Sequence, residues 1–231
     1  MSRLALVTGA ARGIGRAVVD ELLAREYRVI ATARAAEQLA ALEDEIDSPA
    51  LEVGLLDIEA PDVPHRVEGL LGDRALSLLV LNAARFAPWD ETVGSADLSQ
   101  ARAVVETNLF GSWAVVQAAL PALRRARGTI IGVGSGAGSH GDPRFGLANG
   151  GAASYAVSKA ALHALLHKLS SEVAGDGIQV HVADPGLTAT SPGMEEFGAR
   201  PVPDGARSIL APLDGHAAPG VLTRDGAPLP W

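Results

Sequence analysis

Two residues in the stretch SYAVSKAAL, at positions 154–162, have types and spacing suited to proton transfer. Tyr155 and Lys159 are four positions apart, so on a helix their side chains share one face, about 5–6 Å apart at Cβ. A phenol has a pKa of roughly 10, and a nearby ammonium lowers it by favouring the phenolate. The pair therefore predicts a tyrosine acid–base group whose pKa the lysine lowers. A half-buried helical tyrosine near a surface lysine is the structural alternative.

A glycine-rich turn, TGAARGIG at positions 8–15, runs from an apolar segment directly into a helical pattern. Glycine permits a tight turn and close approach of a ligand to the backbone. The free N–H groups of a helix N-terminus attract a pyrophosphate. The turn therefore predicts a dinucleotide site, and close packing of a strand on a helix is the alternative.

Short, continuously apolar segments alternate with amphipathic stretches along the chain. Apolar segments of this kind suit strands buried on both faces, and their alternation with helices is typical of a parallel sheet. The predicted fold class is α/β, a single doubly wound Rossmann domain over residues 1–231, with a mostly or wholly parallel sheet and helices on both faces. The predicted strands are 4–8, 27–32, 50–56, 76–81, 128–133, 178–183 and 220–224, and two predicted helices are 15–26 and 35–46.

Composition excludes several classes of function. The chain of 231 residues has a formal net charge of −8 and no cysteine. Negative charge repels phosphates, and the absence of thiols excludes disulfides and thiolate metal sites. The N-terminal stretch lacks the apolar segment of a signal peptide, and no apolar segment is long enough to cross a bilayer. We therefore expect a cytoplasmic protein with no metal site and with neither a nucleic acid nor a membrane as partner.

Seven motifs, in the order in which they occur along the chain, resemble those of the short-chain dehydrogenase/reductase family. They are TGAARGIG at 8–15, Asp57, NAA at 82–84, Asn108, Ser135, YAVSK at 155–159 and DPGLTAT at 184–190. The family's counterparts include TGxxxGxG, NAG, YxxxK and PGxxxT. Alanine in place of the glycine of NAG is a mild departure. The resemblance covers most of the chain.

The resemblance implies NADPH-dependent reduction of a ketone or aldehyde, an activity of the carbonyl reductase type. In the family, the tyrosine matched by Tyr155 gives a proton to the carbonyl oxygen, and the lysine matched by Lys159 also binds the nicotinamide ribose. Ser135 would hydrogen-bond the substrate oxygen. Asn108 would hold a water that relays protons to the lysine, and a solvated helical asparagine is the structural alternative. Ser139 is the alternative to Ser135, because the interval from Ser135 to the tyrosine is longer than is common in the family.

The resemblance also assigns the cofactor NADP(H) and the residues that bind it. NAD-preferring relatives carry an acidic residue at the end of the second strand, where this chain has Ala33 followed by Arg34. Arg12 and Arg34 would bind the extra phosphate, since guanidinium groups suit bidentate phosphate binding. Two ordinary surface arginines are the alternative. The implied cofactor-binding residues are Gly9, Arg12, Gly13, Ile14, Gly15, Arg34, Asp57, Asn82, Ala83, Tyr155, Lys159, Pro185, Gly186, Thr188 and Thr190.

Two other functions stay open, and a third is disfavoured by the motifs. An NAD(P)-linked alcohol dehydrogenase working in the oxidative direction is the first alternative. A non-catalytic dinucleotide-binding sensor is less favoured, because such proteins usually lose the tyrosine or the lysine. An epimerase or dehydratase of the family's extended branch would be longer, with a further substrate domain. The expected partners are a small-molecule carbonyl or alcohol substrate and further copies of the chain in a homodimer or homotetramer.

Residues outside these motifs are expected to have other roles. His163 and His167 have helical spacing but no third metal ligand, which favours a helix–helix interface or the surface. Phe86 and Trp89 are expected to be core or loop anchors rather than substrate contacts. The loops 135–151 and 187–203 are predicted to form the substrate walls and lid, and Trp231 to close one side of the pocket.

Overall fold

Eight strands form one sheet in the computed structural model, which describes residues 3–215 and 218–230. Numbered along the chain, the strands are β1 Leu4–Val7, β2 Arg28–Ala33, β3 Leu51–Leu55, β4 Leu78–Leu81, β5 Thr129–Val133, β6 Gln179–Ala183, β7 Leu222–Arg224 and β8 Ala227–Pro228. Their order across the sheet is β3-β2-β1-β4-β5-β6-β7-β8, and only the pair β7–β8 is antiparallel among these described strands. The predicted fold class and the seven predicted strands are confirmed.

Helices cover both faces of the sheet. They are α1 Gly13–Ala24, α2 Ala36–Glu45, α3 Val63–Leu71, α4 Leu98–Val105, α5 Ser112–Ala126, α6 Ala153–Val173 and α7 Val202–Leu210. Most buried apolar residues of α3, α5 and α6 pack in one cluster, those of α1, α2 and α7 pack in a second, and a smaller third cluster joins Val104 of α4 to the start of α6. A π-helical turn, Glu106–Gly111, joins α4 to α5.

Consecutive strand residues point to opposite faces of a sheet, and both faces here are apolar. In β1, Leu4 and Leu6 enter the cluster formed by α3, α5 and α6. Ala5 and Val7 enter the cluster on the opposite face. This arrangement explains why the strand segments are continuously apolar rather than alternating.

The strand order reverses between β1 and β4, because the chain continues from β1 to β2 on one side and reaches β4 on the other. Ligands of open α/β sheets bind at the carboxyl ends of strands at such a point. Thr8, directly after β1, joins the two strand ends, since its hydroxyl accepts hydrogen bonds from the backbone N–H groups of Asn82 at 3.0 Å and Ala83 at 3.1 Å. The fold therefore places its ligand cleft beside the glycine turn. No helix in the described part of the chain is long and apolar enough to cross a membrane.

Candidate active site

A cavity of about 680 Å³ lies at the carboxyl ends of the parallel strands. Its walls come from the glycine turn, the loops after β2 to β6 and the first turns of α6. The predicted site residues that line it are Gly9, Arg12, Gly13, Ile14, Gly15, Arg34, Asp57, Asn82, Ala83, Ser135, Tyr155, Lys159, Pro185, Gly186, Thr188 and Thr190. Residues far apart in sequence, with proposed roles in catalysis and cofactor binding, are therefore brought together.

The glycine turn fits the pyrophosphate of a dinucleotide. Gly9 and Gly13 have φ values of +63° and +54°, a region that favours glycine. The helix α1 begins at Gly13, and no side chain caps its N-terminus. Arg12 and Ile14 line the cavity beside it. An uncapped helix N-terminus facing a cavity is a favourable place for an anion.

Packing alone explains the third glycine of the turn. A Cβ added to Gly15 would lie 2.3 Å from the Gly9 carbonyl oxygen and 2.4 Å from Asn82 Nδ2. The Asn82 amide donates to the carbonyl oxygens of Thr8 and Gly9, both at 2.9 Å. Asn82 therefore lines the cavity but uses its side-chain amide to fix the turn.

Two arginines stand where the second strand and the glycine turn meet the cavity. Arg34 directly follows β2, which ends at the buried Ala33, and Arg12 precedes α1. Both arginines line the cavity, and no ion pair of either side chain is formed within the described residues. Asp57 lines the cavity after β3, where its Oδ1 accepts from the Glu59 N–H at 3.1 Å. Two cationic groups are thus available to a ligand at this end.

Tyr155 and Lys159 lie on α6 and are both buried, with exposed fractions of 7% and 2%. Burial raises the pKa of Tyr155 above its ordinary value; the Ser135 hydroxyl opposes this rise, and the charge of Asp184 adds to it. The Lys159 ammonium lies 5.6 Å from the ring centroid and donates to the Val133 carbonyl at 2.8 Å. The expectation that Lys159 lowers the pKa of Tyr155 is therefore wrong in this structure, because burial outweighs the other effects.

The two candidate serines differ in position. Ser135 lines the cavity, and its hydroxyl interacts with Tyr155 and accepts from the Ala137 N–H at 3.2 Å. Ser139 is fully buried, donates to the Pro230 carbonyl and accepts from the Gly141 N–H at 3.0 Å. Only the first of these two hydroxyls can reach a molecule in the cavity.

Asn108 does not line the cavity, and it is fully buried in the π-helical turn. Its Oδ1 accepts from the Arg85 N–H at 2.8 Å, while its Nδ2 donates to the Arg85 carbonyl and to Ser158 Oγ, both at 2.9 Å. Burial rules out a solvated residue. The amide ties the loop after β4 to α6, and its role in a water relay stays a prediction.

A charge network in the wall of the cavity, centred on the buried Asp184, was not predicted from the sequence. Asp184 Oδ2 accepts from the Gly136 N–H at 2.9 Å and from Arg224 Nε at 3.1 Å, and its Oδ1 accepts from the Gly186 N–H at 2.8 Å. Arg224 also donates to Asp142 at 3.2 Å. The network joins the loops after β5 and β6 to β7. The available signal was an aspartate directly before the PG of DPGLTAT.

His163 is wrongly predicted as an interface or surface residue. It is fully buried, and its Nε2 accepts from the Ser135 N–H at 3.2 Å. Burial and the charge of Lys159 lower the pKa of His163 to about 3, so the imidazole is neutral and can accept this bond. His167 lies 3.1 Å from the Gly220 carbonyl oxygen. Within residues 3–215 and 218–230, no group of three or more potential metal ligands is found.

The loops around the cavity agree in part with expectation. From the predicted substrate loops, Arg144, Phe145, Asn149, Gly151, Leu187 and Met194 line it. Phe86 and Trp89 also line it and are each 63% exposed, so the expectation that they are core or loop anchors is wrong for their side chains. Trp231 lies outside the described residues.

Comparison with known proteins agrees with this geometry. The model of the short chain dehydrogenase family matches residues 3–200. A 3-oxoacyl-(acyl-carrier-protein) reductase of Escherichia coli is 33% identical over 193 residues, which cover 81% of this chain and 74% of that protein. The NADPH-bound carbonyl reductase from chicken fatty liver superposes with a TM-score of 0.87 at 27% identity, covering 100% of this chain and 94% of that one. A short chain dehydrogenase from Burkholderia cenocepacia in complex with NADP gives a TM-score of 0.77 at 28% identity, covering 93% and 85%.

The Rossmann-type sheet and the cleft beside its glycine turn are typical of a dinucleotide-binding protein. The chain belongs to the short-chain dehydrogenase/reductase family.

Proposed function

We propose that this chain is an NADP(H)-dependent carbonyl reductase that converts a ketone or aldehyde to an alcohol. The observation that carries the proposal is the buried Tyr155 hydroxyl, whose pKa is raised and which interacts with Ser135 inside the cavity. A phenol that keeps its proton at neutral pH is the form needed to protonate a carbonyl oxygen. Carbonyl reduction therefore suits this site.

Cofactor binding and proton transfer are assigned mostly to different residues. The N-terminus of α1 would hold the pyrophosphate, Arg12 and Arg34 the adenosine phosphate, and Lys159 the nicotinamide ribose. When bound, the nicotinamide supplies a hydride to the carbonyl carbon. Ser135 would donate a hydrogen bond to the carbonyl oxygen as charge develops there, and Tyr155 would transfer its proton to that oxygen.

Hydrogen bonds to its backbone hold the Ser135 loop in place relative to α6, the helix that carries Tyr155. His163 and Asp184 accept from the backbone N–H groups of Ser135 and Gly136, at 3.2 and 2.9 Å. The negative charge of Asp184 also raises the pKa of Tyr155, although burial is the larger cause. This keeps the proton on the phenol until a substrate oxygen takes it.

Oxidation of an alcohol is the second candidate, and it requires the phenolate. The raised pKa of Tyr155 disfavours that form at neutral pH, so we place oxidation second. A non-catalytic sensor is disfavoured because Ser135, Tyr155 and Lys159 all line one cavity.

Assembly and domain organisation are part of the same proposal. We place the activity in one domain over residues 1–231 and propose a homodimer or homotetramer. An exposed stacked pair, Phe110 and Trp113, supports association, with ring centroids 6.5 Å apart and exposed fractions of 49% and 42%.

The experiment that tests the function is consumption of NADPH by the parent enzyme with a panel of ketones and aldehydes. Turnover of at least one carbonyl, with a higher kcat/KM for NADPH than for NADH, is the expected result. Turnover that appears only with alcohols and NADP⁺, with NADPH formed rather than consumed, would favour the oxidative alternative. Cofactor binding with no turnover in either direction would favour the sensor.

Replacing Arg34 should weaken the preference for NADPH over NADH. A hydrogen bond to a charged group contributes roughly 1.5–3 kcal/mol, so each arginine should favour NADPH by about tenfold or somewhat more. Arg34→Leu should lose that factor, and Ala33→Asp combined with Arg34→Leu should bring the preference close to reversal. Arg66→Leu, an arginine of α3 paired with Asp62, is the matched control. A parent enzyme that favours NADH in kcat/KM would contradict the assignment.

Cofactor affinity should fall as the pH rises through the pKa of Lys159. Burial lowers that pKa to about 8, and the charge of Asp184 partly opposes the decrease. The ammonium is therefore present below this pH and lost above it. Because hydrogen bonds from a charged donor are the stronger ones, we expect affinity for NADPH to fall by about tenfold between pH ~7 and pH ~9.5.

Fluorescence titration of NADPH across this pH range measures the effect. Lys159→Met, which replaces the ammonium with an uncharged side chain of similar length, should bind more weakly and show no fall near the same pH. An identical pH profile in the variant would exclude Lys159 as the titrating group.

A further inference from the structure

Aromatic side chains are concentrated at the cavity. The chain contains only four phenylalanines, three tryptophans and two tyrosines. Two of the phenylalanines, one tryptophan and one tyrosine line this single cavity: Phe86, Phe145, Trp89 and Tyr155. Because the chain has few aromatic residues, this concentration indicates a cavity wall that favours an apolar ligand.

The Phe86 ring lies against the proton-donating residue of the proposed reaction. Its centroid is 4.7 Å from that of Tyr155, and the two ring planes are 20° apart. Phe86 and Trp89 are nevertheless each 63% exposed. A phenylalanine stacked on one neighbour and otherwise open offers an apolar surface to whatever occupies the cavity.

Both ends of the loop that carries these rings are fixed. At its start, the Arg85 N–H donates to the buried Asn108 amide at 2.8 Å. At its end, the buried Glu91 carboxylate accepts from the N–H and hydroxyl of Ser154 at 2.8 and 2.7 Å. Ser154 directly precedes Tyr155 in α6. The loop is thus tied to the helix that holds the tyrosine.

The backbone of Trp89 is tied to the same place. Its carbonyl accepts from the Ala152 N–H at 3.2 Å, next to the start of α6. Gly151 permits this approach, since a Cβ there would lie 2.5 Å from the Trp89 carbonyl oxygen. The backbone that carries the two rings is thus held in place beside Tyr155, and the Phe86 ring is also held by its stacking on that tyrosine. A loop that is ordered before the ligand arrives lowers the entropy cost of binding.

We infer that the substrate is an aryl ketone or aryl aldehyde, whose ring packs against Phe86 and Trp89 while its carbonyl oxygen reaches Tyr155 and Ser135. The inference rests on the proposed carbonyl reductase function and names its substrate class. Offset or edge-to-face packing favours a flat ring over a saturated ring of the same size. The two rings are therefore specificity-determining residues and take no part in proton transfer.

Binding without turnover tests this inference. Acetophenone and cyclohexyl methyl ketone differ only in the saturation of the ring, and with NADP⁺ neither can be reduced. Calorimetric titration of the enzyme–NADP⁺ complex should give a preference for acetophenone of roughly 2- to 10-fold, the range of one aromatic pair. Phe86→Leu and Trp89→Leu keep an apolar side chain and should each move that ratio towards one.

A matched control lies outside the cavity. Trp113 is a 42% exposed tryptophan stacked on Phe110, and Trp113→Leu should leave the ratio unchanged. Equal affinity for the two ketones in the parent, or an unchanged ratio in both loop variants, would overturn the aryl assignment. Selective binding of acetophenone with no carbonyl reduced by NADPH would instead contradict the proposed function alone, and reduction without selectivity would contradict the aryl inference alone.

Discussion

Tyr155→Phe is expected to lower kcat for carbonyl reduction by ~10²–10⁴-fold, the usual contribution of a general acid. The substitution removes only the hydroxyl that we assign as the proton donor. The remaining ring can still pack against Phe86, 4.7 Å away, so the cavity wall is retained. The affinity for NADPH should stay close to that of the parent. Steady-state rates and direct cofactor titration measure the two quantities separately.

A loss of kcat without a loss of NADPH affinity distinguishes a proton donor from a structural residue. If cofactor affinity falls in parallel with kcat, Tyr155 has a structural role and the proton donor lies elsewhere. Unchanged kcat would exclude it as the acid outright. Far-ultraviolet circular dichroism of both proteins controls for misfolding.

Ser135→Ala should lower kcat by ~10²–10³-fold, the typical cost of removing one donor to a developing oxyanion. The Ser135 hydroxyl lines the cavity and interacts with that of Tyr155. Since its contacts within the protein are few, thermal stability should change little. The expected signature is a large loss in rate with a small change in melting temperature.

Ser139→Ala is the matched control and should show the opposite signature. That hydroxyl is fully buried and bonded to Gly141, Asp142 and Pro230. Ser139→Ala leaves the N–H of the buried Asp142 without this partner, which costs about 1–3 kcal/mol, so the melting temperature should fall while kcat changes far less. A larger rate loss in Ser139→Ala than in Ser135→Ala would transfer the catalytic assignment to Ser139.

The fold was predictable because its evidence is local. Strands buried on both faces need continuous apolar segments, and the glycine turn combines positive φ values at Gly9 and Gly13 with a helix start. The strand β8 was missed because Ala227–Pro228 is too short to produce a pattern. Its antiparallel pairing with β7 follows from the tight turn between them rather than from hydrophobicity.

Most of the candidate site was also predictable, because the motifs lie at strand ends that meet at one edge of the sheet. The burial and the charges around each side chain were not predictable from the sequence. Burial of Tyr155 reverses the expected direction of its pKa shift, and burial depends on the packing of loops far away in sequence. The same limit applies to the bond between His163 and Ser135.

Two further features depend on tertiary contacts that no local pattern encodes. The pairing of Asp184 with Arg224 joins residues 40 positions apart, and the arginine lies in the last parallel strand, outside every motif. The exposure of Phe86 and Trp89 depends on the direction of a loop that is fixed by Asn108 and Glu91. Hydrophobicity alone favours burial of large aromatic residues.

Transfer of deuterium tests carbonyl reduction at this site most directly. NADPH carrying deuterium at its transferable C4 position is mixed with the parent enzyme and a panel of aryl and alkyl carbonyl compounds, and the products are analysed by mass spectrometry. We expect an alcohol with deuterium on the former carbonyl carbon, formed at least about 10²-fold more slowly by Tyr155→Phe. No labelled alcohol from any compound, or labelled alcohol formed equally fast by both proteins, would contradict NADPH-dependent reduction with Tyr155 as the proton donor.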